Sequence, residues 1–324
     1  MDGIILINKE KDFTSHDVVS IVKKITKSKV GHTGTLDPNA TGVLPLLIGN
    51  ATKISKYLIN HDKEYEAVIQ LGKKTTTADV EGEVIEEKEV PEKAYIECEN
   101  ILKSFIGKQK QTPPAYSAIK VNGKKLYSYA REGIKIEIEP RSIEIYNIEL
   151  MNIDKEEKQI SFKVSCSKGT YIRSLCEDIA EKLGTVGYMK DLKRTKVGDF
   201  EIKEAITIGE LKEKFEKNDF LDVITIENIF KDMPKIELNE NNIKQYLNGV
   251  KISVTEYNKS KEPQRLQELQ ILGDEEKFLK TQESKSLKDG IYRIYYKNEF
   301  NGIGILKDGK LKRDLVIAEW GIAM

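Results

Sequence analysis

Gly31-His32-Thr33-Gly34-Thr35-Leu36-Asp37-Pro38-Asn39-Ala40-Thr41-Gly42-Val43-Leu44-Pro45 opens a nineteen-residue stretch, Gly31 to Gly49, that holds four glycines, two prolines and three threonines. That composition breaks any helical or alternating period, so the stretch reads as a structured loop, and long ordered loops in compact domains are usually functional. Within it Asp37 stands between Leu36 and Pro38. Proline has a fixed φ and biases the residue before it toward extended backbone, which presets the direction of the carboxylate. The glycines allow another backbone to approach closely. An isolated Asp-Pro is most often a plain turn. Here His32, three threonines and the apolar run from Val43 to Ile48 accompany it, which is more chemistry than a turn requires.

Several chemistries fail on spacing. A Walker-type phosphate loop needs Gly-x4-Gly-Lys-Ser/Thr, and Gly42-Val43-Leu44 lacks the lysine. Asp37-x3-Thr41 resembles an aspartyl-phosphate site only superficially, because no second Asp follows two residues later. The three histidines, His16, His32 and His61, are far apart, so a metal site is not expected. Carboxylate chemistry without a cofactor remains.

Outward from the loop, Ile4 to Asn8 reads as a buried strand. Ser15 is the expected N-cap of a helix with Val18, Ile21, Val22 and Ile25 on one face. Tyr65 to Leu71, residues 143–150 and residues 160–167 read as strands, and residues 92–105 as a helix. From Tyr171, the apolar residues Ile172, Leu175, Ile179 and Leu183 recur at helical spacing. This mixed order predicts an α+β domain around a mostly antiparallel sheet. The texture changes around residues 210–235, so a boundary is placed near 232, giving domains 1–232 and 233–324. Residues 255–289 are polar and charged and read as an exposed insertion, and strands are expected at 291–296, 302–306 and 311–318.

Lys plus Arg (53) equals Asp plus Glu (53), which excludes a polycation that holds nucleic acid by bulk charge but leaves room for a local basic groove. Hydrophobic residues make up 39% and charged residues 33%, a soluble globular composition. No apolar run approaches the roughly eighteen residues of a membrane span. The N-terminus lacks the basic region and long apolar core of a signal peptide. Cys98, Cys166 and Cys176 are odd in number and form no Cys-x-x-Cys pair, so they read as core residues of a reduced, cytoplasmic protein.

The stretch Gly31 to Gly49 resembles the signature loop of the TruB-type tRNA pseudouridine 55 synthases, of the bacterial stand-alone type. Further blocks match in order: Thr14 to Val19, Lys63 to Gly72, Asp79 to Gly82, Pro113 to Lys120, Gly123 to Tyr127, Cys166 to Arg173, and Leu192 to Thr195. The resemblance covers about residues 3–200 and is weak beyond residue 235. It implies a pseudouridine-synthase fold, with a mixed, mostly antiparallel sheet flanked by helices and a small, mostly-β PUA-like C-terminal domain. The implied activity is isomerisation of a uridine in the TΨC loop of tRNA: the base is flipped out, detached and re-attached through C5, with no cofactor and no metal.

Residue by residue, the resemblance implies Asp37 as the catalytic carboxylate and Arg173 as the arginine that pairs with it and keeps it ionised. Tyr65 matches the tyrosine that stacks on the target base, and His32 the histidine that supports displaced bases. Tyr171 and Leu192 match positions lining the base pocket, and Asp79 also matches. Lys9, Lys120, Lys124, Lys125, Lys168 and Arg194 fall in or beside the matching blocks and are the expected phosphate contacts. The expected partner is the TΨC arm of tRNA, for a cytoplasmic monomer with no required protein partner and no membrane. One departure stands out: the family's Lys-Pro-x-Gly is Lys9-Glu10-Lys11-Asp12 here.

Overall fold

A computed structural model describes residues 1–117, 119–121, 123–134, 136–219, 221–253 and 287–317. They fall into two units, Met1–Val223 and Ile224–Met324, which meet nine residues before the boundary expected at 232. In the larger unit the strands are β1 (Gly3–Lys9), β2 (Val30–His32), β3 (Thr41–Ile48), β4 (Lys63–Leu71), β5 (Lys73–Thr75), β6 (Val84–Glu87), β7 (Gly107–Gln111), β8 (Lys120–Val121), β9 (Lys124–Lys125), β10 (Arg141–Asp154), β11 (Gln159–Cys166), β12 (Gly187–Val197) and β13 (Phe200–Glu201). Its helices are α1 (Ser15–Thr26), α2 (Ser55–Leu58), α3 (Glu92–Lys103), α4 (Leu126–Arg131), α5 (Ile172–Lys182) and α6 (Ile208–Glu216).

The main sheet runs β1-β3-β12-β4-β11-β10-β7, with β2 added to β3 and β13 to β12. Its pairs are antiparallel except β12 with β3, which meet in parallel at Lys193↔Thr41 and Arg194↔Gly42. Alternation makes one face of this sheet the core. Tyr65, Ala67, Ile69 and Leu71 of β4 are buried, and Val164, Phe162 and Ile160 of β11 lie opposite the first three. Helix α5 buries Ile172, Leu175, Cys176, Ile179 and Ala180 in the same core. Val18 and Val22 of α1 are fully buried there too, and each such side chain contributes roughly 1.5–3 kcal/mol relative to exposure.

Two local expectations are corrected. Thr14, not Ser15, caps α1, through a reciprocal capping box with Asp17. The second half of the presumed loop is the buried strand β3. Pro45 is accommodated there because β12 pairs only with residues 41–42 of β3 and β2 only with residues 46–48. Its missing N–H therefore falls in the gap between two ladders.

In the smaller unit, α7 (Ile226–Ile229), β14 (Lys235–Glu237), α8 (Glu240–Leu247), β15 (Ile252–Ser253), β16 (Gly290–Tyr296), β17 (Glu299–Lys307) and β18 (Lys310–Val316) follow in order. The strands form one sheet, β14-β16-β17-β18-β15, and fully buried Tyr246 of α8 donates to the carbonyls of Ile303 and Leu315. The architecture is thus a mixed, mostly antiparallel sheet flanked by helices, plus a small mostly-β unit. The polar segment 255–289 lies outside the described residues up to 286. Among the described residues no helix is long and apolar enough to cross a membrane. All three cysteines are buried and free.

Candidate active site

Asp37 sits at the centre of the loop between β2 and β3, and the sequence anchors that loop from several sides. Ser15, at the start of α1, both donates to the Leu36 carbonyl (3.0 Å) and accepts from the Leu36 N–H (2.8 Å). The Lys9 ammonium, at the end of β1, is fully buried and donates to the carbonyls of Glu10 (2.9 Å), Phe13 (2.7 Å) and Pro38 (3.0 Å). Asp12, at φ 68, returns its own N–H to Pro38 O at 3.0 Å. Despite the lost glycine, the departing Lys9-Glu10-Lys11-Asp12 turn therefore still closes onto the loop. Asp12 takes the left-handed backbone itself, which Asp tolerates better than most residues.

Arg173, on the first turn of α5, is only 7% exposed. Its Nε approaches Asp37 Oδ2 at 3.1 Å and its Nη2 approaches Oδ1 at 3.4 Å, a two-point grip on the carboxylate. Nη2 also donates to Tyr116 O (2.9 Å), and Nη1 to Thr77 O (3.2 Å) and Asp79 Oδ2 (3.3 Å). Asp79 is buried in the β5–β6 connection, where its Oδ1 accepts from the Thr77 hydroxyl and from Glu81 N–H. One arginine therefore joins two carboxylates. The Asp37 side chain keeps a third of its surface open, at 33%, against 5% for Asp79. Burial raises the Asp37 carboxyl above its ordinary value; Arg173 pulls it back, Asp79 raises it further, and Lys9 lowers it. The pairing expected of Arg173 is present, but burial prevails over it.

The sheet supplies the aromatic side of the site. Arg194 on β12 lies in register between Gly42 and Tyr65. Tyr65 is buried, and its hydroxyl is pushed up to about 12 by burial, so at neutral pH it keeps its proton. The Asp37 charge acts on both Tyr65 and Tyr171. Tyr171 is half-buried at the N-cap of α5, where the Gln111 side chain accepts from its N–H (2.8 Å) and donates to its carbonyl (3.0 Å). Leu192 is buried on β12, opposite Ala67, just past an irregularity at Met189/Asp191. His32 is half-buried at the end of β2, and burial, with the Arg194 charge, presses its imidazole toward the neutral form.

The description "TruB family pseudouridylate synthase (N terminal domain)" matches residues 22–172, and "tRNA pseudouridylate synthase B C-terminal domain" matches residues 173–233. The chain is 49% identical over 253 residues to the tRNA pseudouridine synthase B of Alkaliphilus oremlandii, covering 78% of this chain and 83% of that protein. It is 43% identical to the enzyme of the same name from Clostridium kluyveri, over 96% of this chain and 98% of that one. The chain belongs to the TruB family of pseudouridine synthases. It is an isomerase that converts uridine in tRNA to pseudouridine. The fold is similar to a chain of a solved Cbf5–Nop10–Gar1 complex, with a TM-score of 0.63 and 25% identity over 97% of this chain and 83% of that one.

On this TruB scaffold the expected phosphate contacts divide. Lys9 and Arg194, expected at the RNA-facing surface, are instead buried at 0% and 1% exposure. Their donors are spent on backbone carbonyls, so they hold the Asp37 loop rather than reach outward. Lys120 and Lys125 are exposed on the β8–β9 hairpin, where the Lys125 ammonium lies 5.3 Å from the centre of the Tyr127 ring. Lys124 pairs with Glu132 and lies over Tyr129. Lys168 is exposed and donates to Asn60 Oδ1 at 2.8 Å. Sequence reasoning missed the positioning done by Ser15, Thr77, Gln111 and the Tyr116 carbonyl. Ser15 was visible only as a cap, and a side chain serving a distant backbone group leaves no periodic trace.

Proposed function

We propose that this enzyme isomerises the uridine at position 55, in the TΨC loop of tRNA, with Asp37 as its catalytic carboxylate and without a cofactor. The glycosidic bond to N1 breaks, the uracil turns over, C5 bonds to the ribose carbon and gives up its proton, and N1 takes up a proton, so that product and substrate are isomers. Asp37 supplies the carboxylate at the bond-breaking step. The base leaves its stack and rests against Tyr65, an interaction worth roughly 1–3 kcal/mol, with Tyr171 and Leu192 as pocket walls. His32 supports the displaced neighbours. Asp79 steadies Arg173, and Lys120, Lys124, Lys125 and Lys168 meet phosphates of the TΨC arm.

The observation that carries this reading is the Asp37 carboxylate, gripped at two points by a buried arginine yet one-third open to solvent. A carboxylate so held, and still open on one side, is fixed in direction yet accessible to a substrate. The larger unit, 1–232 in the sequence reading, carries the chemistry, and the smaller mostly-β unit, 233–324, grips RNA. The enzyme works as a stand-alone cytoplasmic monomer, in keeping with the full-length likeness to tRNA pseudouridine synthase B.

The test is tritium release from C5-labelled uridine in unmodified tRNA transcripts. Wild type releases tritium from the natural transcript and none from a transcript with cytidine at position 55. Asp37→Asn releases none from either. Release by Asp37→Asn, or release from the position-55 variant, overturns the assignment.

A further inference from the structure

Arg194 is a buried cation whose hydrogen-bond partners are backbone carbonyls. Its Nε donates to Val43 O at 2.9 Å, Nη1 to Thr35 O at 3.4 Å and Nη2 to Gly34 O at 3.2 Å. Tyr65 stands directly opposite Arg194 across the β12–β4 pair, and the Arg194 charge acts on its phenol. Gly34 and Thr35 precede Asp37 in the loop, and Val43 follows it in β3. One guanidinium thus holds both ends of the segment that presents the carboxylate, and its residue is the cross-strand neighbour of the tyrosine against which the base is read to rest.

The backbone enforces the same arrangement. Gly42, Arg194 and Tyr65 form one cross-strand row. A Cβ on Gly42, at φ +109, would lie 2.2 Å from Arg194 O and 2.6 Å from Arg194 N. The loop and β12 can therefore meet at this distance only because residue 42 has no side chain. The Arg194 charge also presses Lys9, His32 and Lys63 toward their neutral forms, which puts it amid the groups around the loop.

We propose that Arg194 is the positioning residue that couples the Asp37 loop to Tyr65, so that carboxylate and base platform are held in one fixed mutual geometry. This rests on the reading that Asp37 and Tyr65 act on the uridine. Arg194 grips the loop with its fork while standing beside Tyr65 in the sheet, so a shift of the loop relative to Arg194 is also a shift relative to the tyrosine. A lysine cannot reproduce this: its three tetrahedral donors do not copy the planar fork that reaches Val43 O on one side of Asp37 and Gly34 O and Thr35 O on the other.

The experiment is a double-mutant cycle on the single-turnover rate with tRNA, using Arg194→Lys, Tyr65→Phe and the pair. Arg194→Lys is expected to lower the rate roughly 10- to 100-fold, the scale of a misplaced reacting group, while tRNA affinity holds. Tyr65→Phe is expected to cost much less in the Arg194→Lys background than in wild type. Additive costs, or equal losses of rate and affinity, overturn the coupling. Melting of Tyr65→Phe alone is the second measurement and requires no folded Arg194 variant. Removing the buried phenol oxygen that stands beside the Arg194 charge should lower the midpoint by about 2–4 °C. An unchanged midpoint overturns the Tyr65–Arg194 link. Asp37→Asn, run alongside, separates the two readings: a full rate there condemns the catalytic assignment, whereas a dead Asp37→Asn with an unimpaired Arg194→Lys condemns only this one.

Discussion

Replacing Arg173 by lysine keeps a positive charge and removes the fork. In the native site its guanidinium makes five contacts, with Asp37 Oδ1 and Oδ2, Asp79 Oδ2, and the carbonyls of Tyr116 and Thr77. An ammonium has three donors, so at least two of these contacts are lost, and the two-point hold on Asp37 goes first because it needs a planar pair. A hydrogen bond to a charged group contributes about 1.5–3 kcal/mol. If that amount is lost where the carboxylate acts, the rate falls roughly 10- to 150-fold. The assay is single-turnover tritium release with saturating enzyme, with tRNA affinity measured separately. The acid limb of the rate profile adds a second readout. Burial already holds the Asp37 carboxyl up and Arg173 holds it down, so a weaker hold moves the limb to higher pH. Wild-type turnover with an unmoved acid limb would refute the claim that this pair governs Asp37.

Gly42→Ala places a Cβ 2.2 Å from a backbone oxygen at a left-handed φ, so it should destabilise the fold by at least about 1–3 kcal/mol, visible as a lower melting temperature; an unchanged midpoint contradicts the close approach of β3 and β12. The Lys9 ammonium is lowered to about 8 chiefly by burial, so between that pH and its unfolded value near 10.4 the unfolded chain binds more protons. Wild-type stability should therefore climb with pH across that window relative to Lys9→Met, and parallel urea-unfolding curves in the two proteins would contradict it. Asp37 has the opposite sign. Its raised carboxyl favours the fold at low pH, and that contribution is lost as pH rises through the folded-state value. Asp37→Asn should thus melt at or above the wild-type temperature at neutral pH while losing product formation, and a clear drop in its midpoint there would contradict the direction.

Much of the fold was legible because its signals are local and periodic. The alternation in 65–71 and 160–167 and the helical spacing after Tyr171 became β4, β11 and α5. Where glycine and proline hid a strand, reading failed: β3 is continuous through Gly42 and Pro45 because a neighbouring backbone needs the one and a gap between ladders tolerates the other. Asp37 and Arg173 come together as the resemblance implied, with Asp79 on the same guanidinium. Lys9 and Arg194 fall in or beside the matching blocks and are expected at phosphates, yet both are buried. Only three dimensions reveal that backbone carbonyls, which are identical at every residue and so invisible in a sequence, wait to receive their donors.

The anchoring of the Asp37 loop also sets a timetable for synthesis. The groups that grip it come from residues 9, 15, 173 and 194, and the longest of these links, from Arg194 back to Gly34, spans 160 residues. A ribosome adding about 5–20 residues per second needs on the order of ten seconds or more to deliver that arginine after the loop has emerged. During that interval the carboxylate exists but its scaffold does not. The growing chain can assemble β1 against β3 early, from neighbouring sequence, while catalytic competence waits for β12, the parallel strand that brings the last of these four anchors. A fragment ending before β12 should accordingly be a partly ordered protein with no working centre.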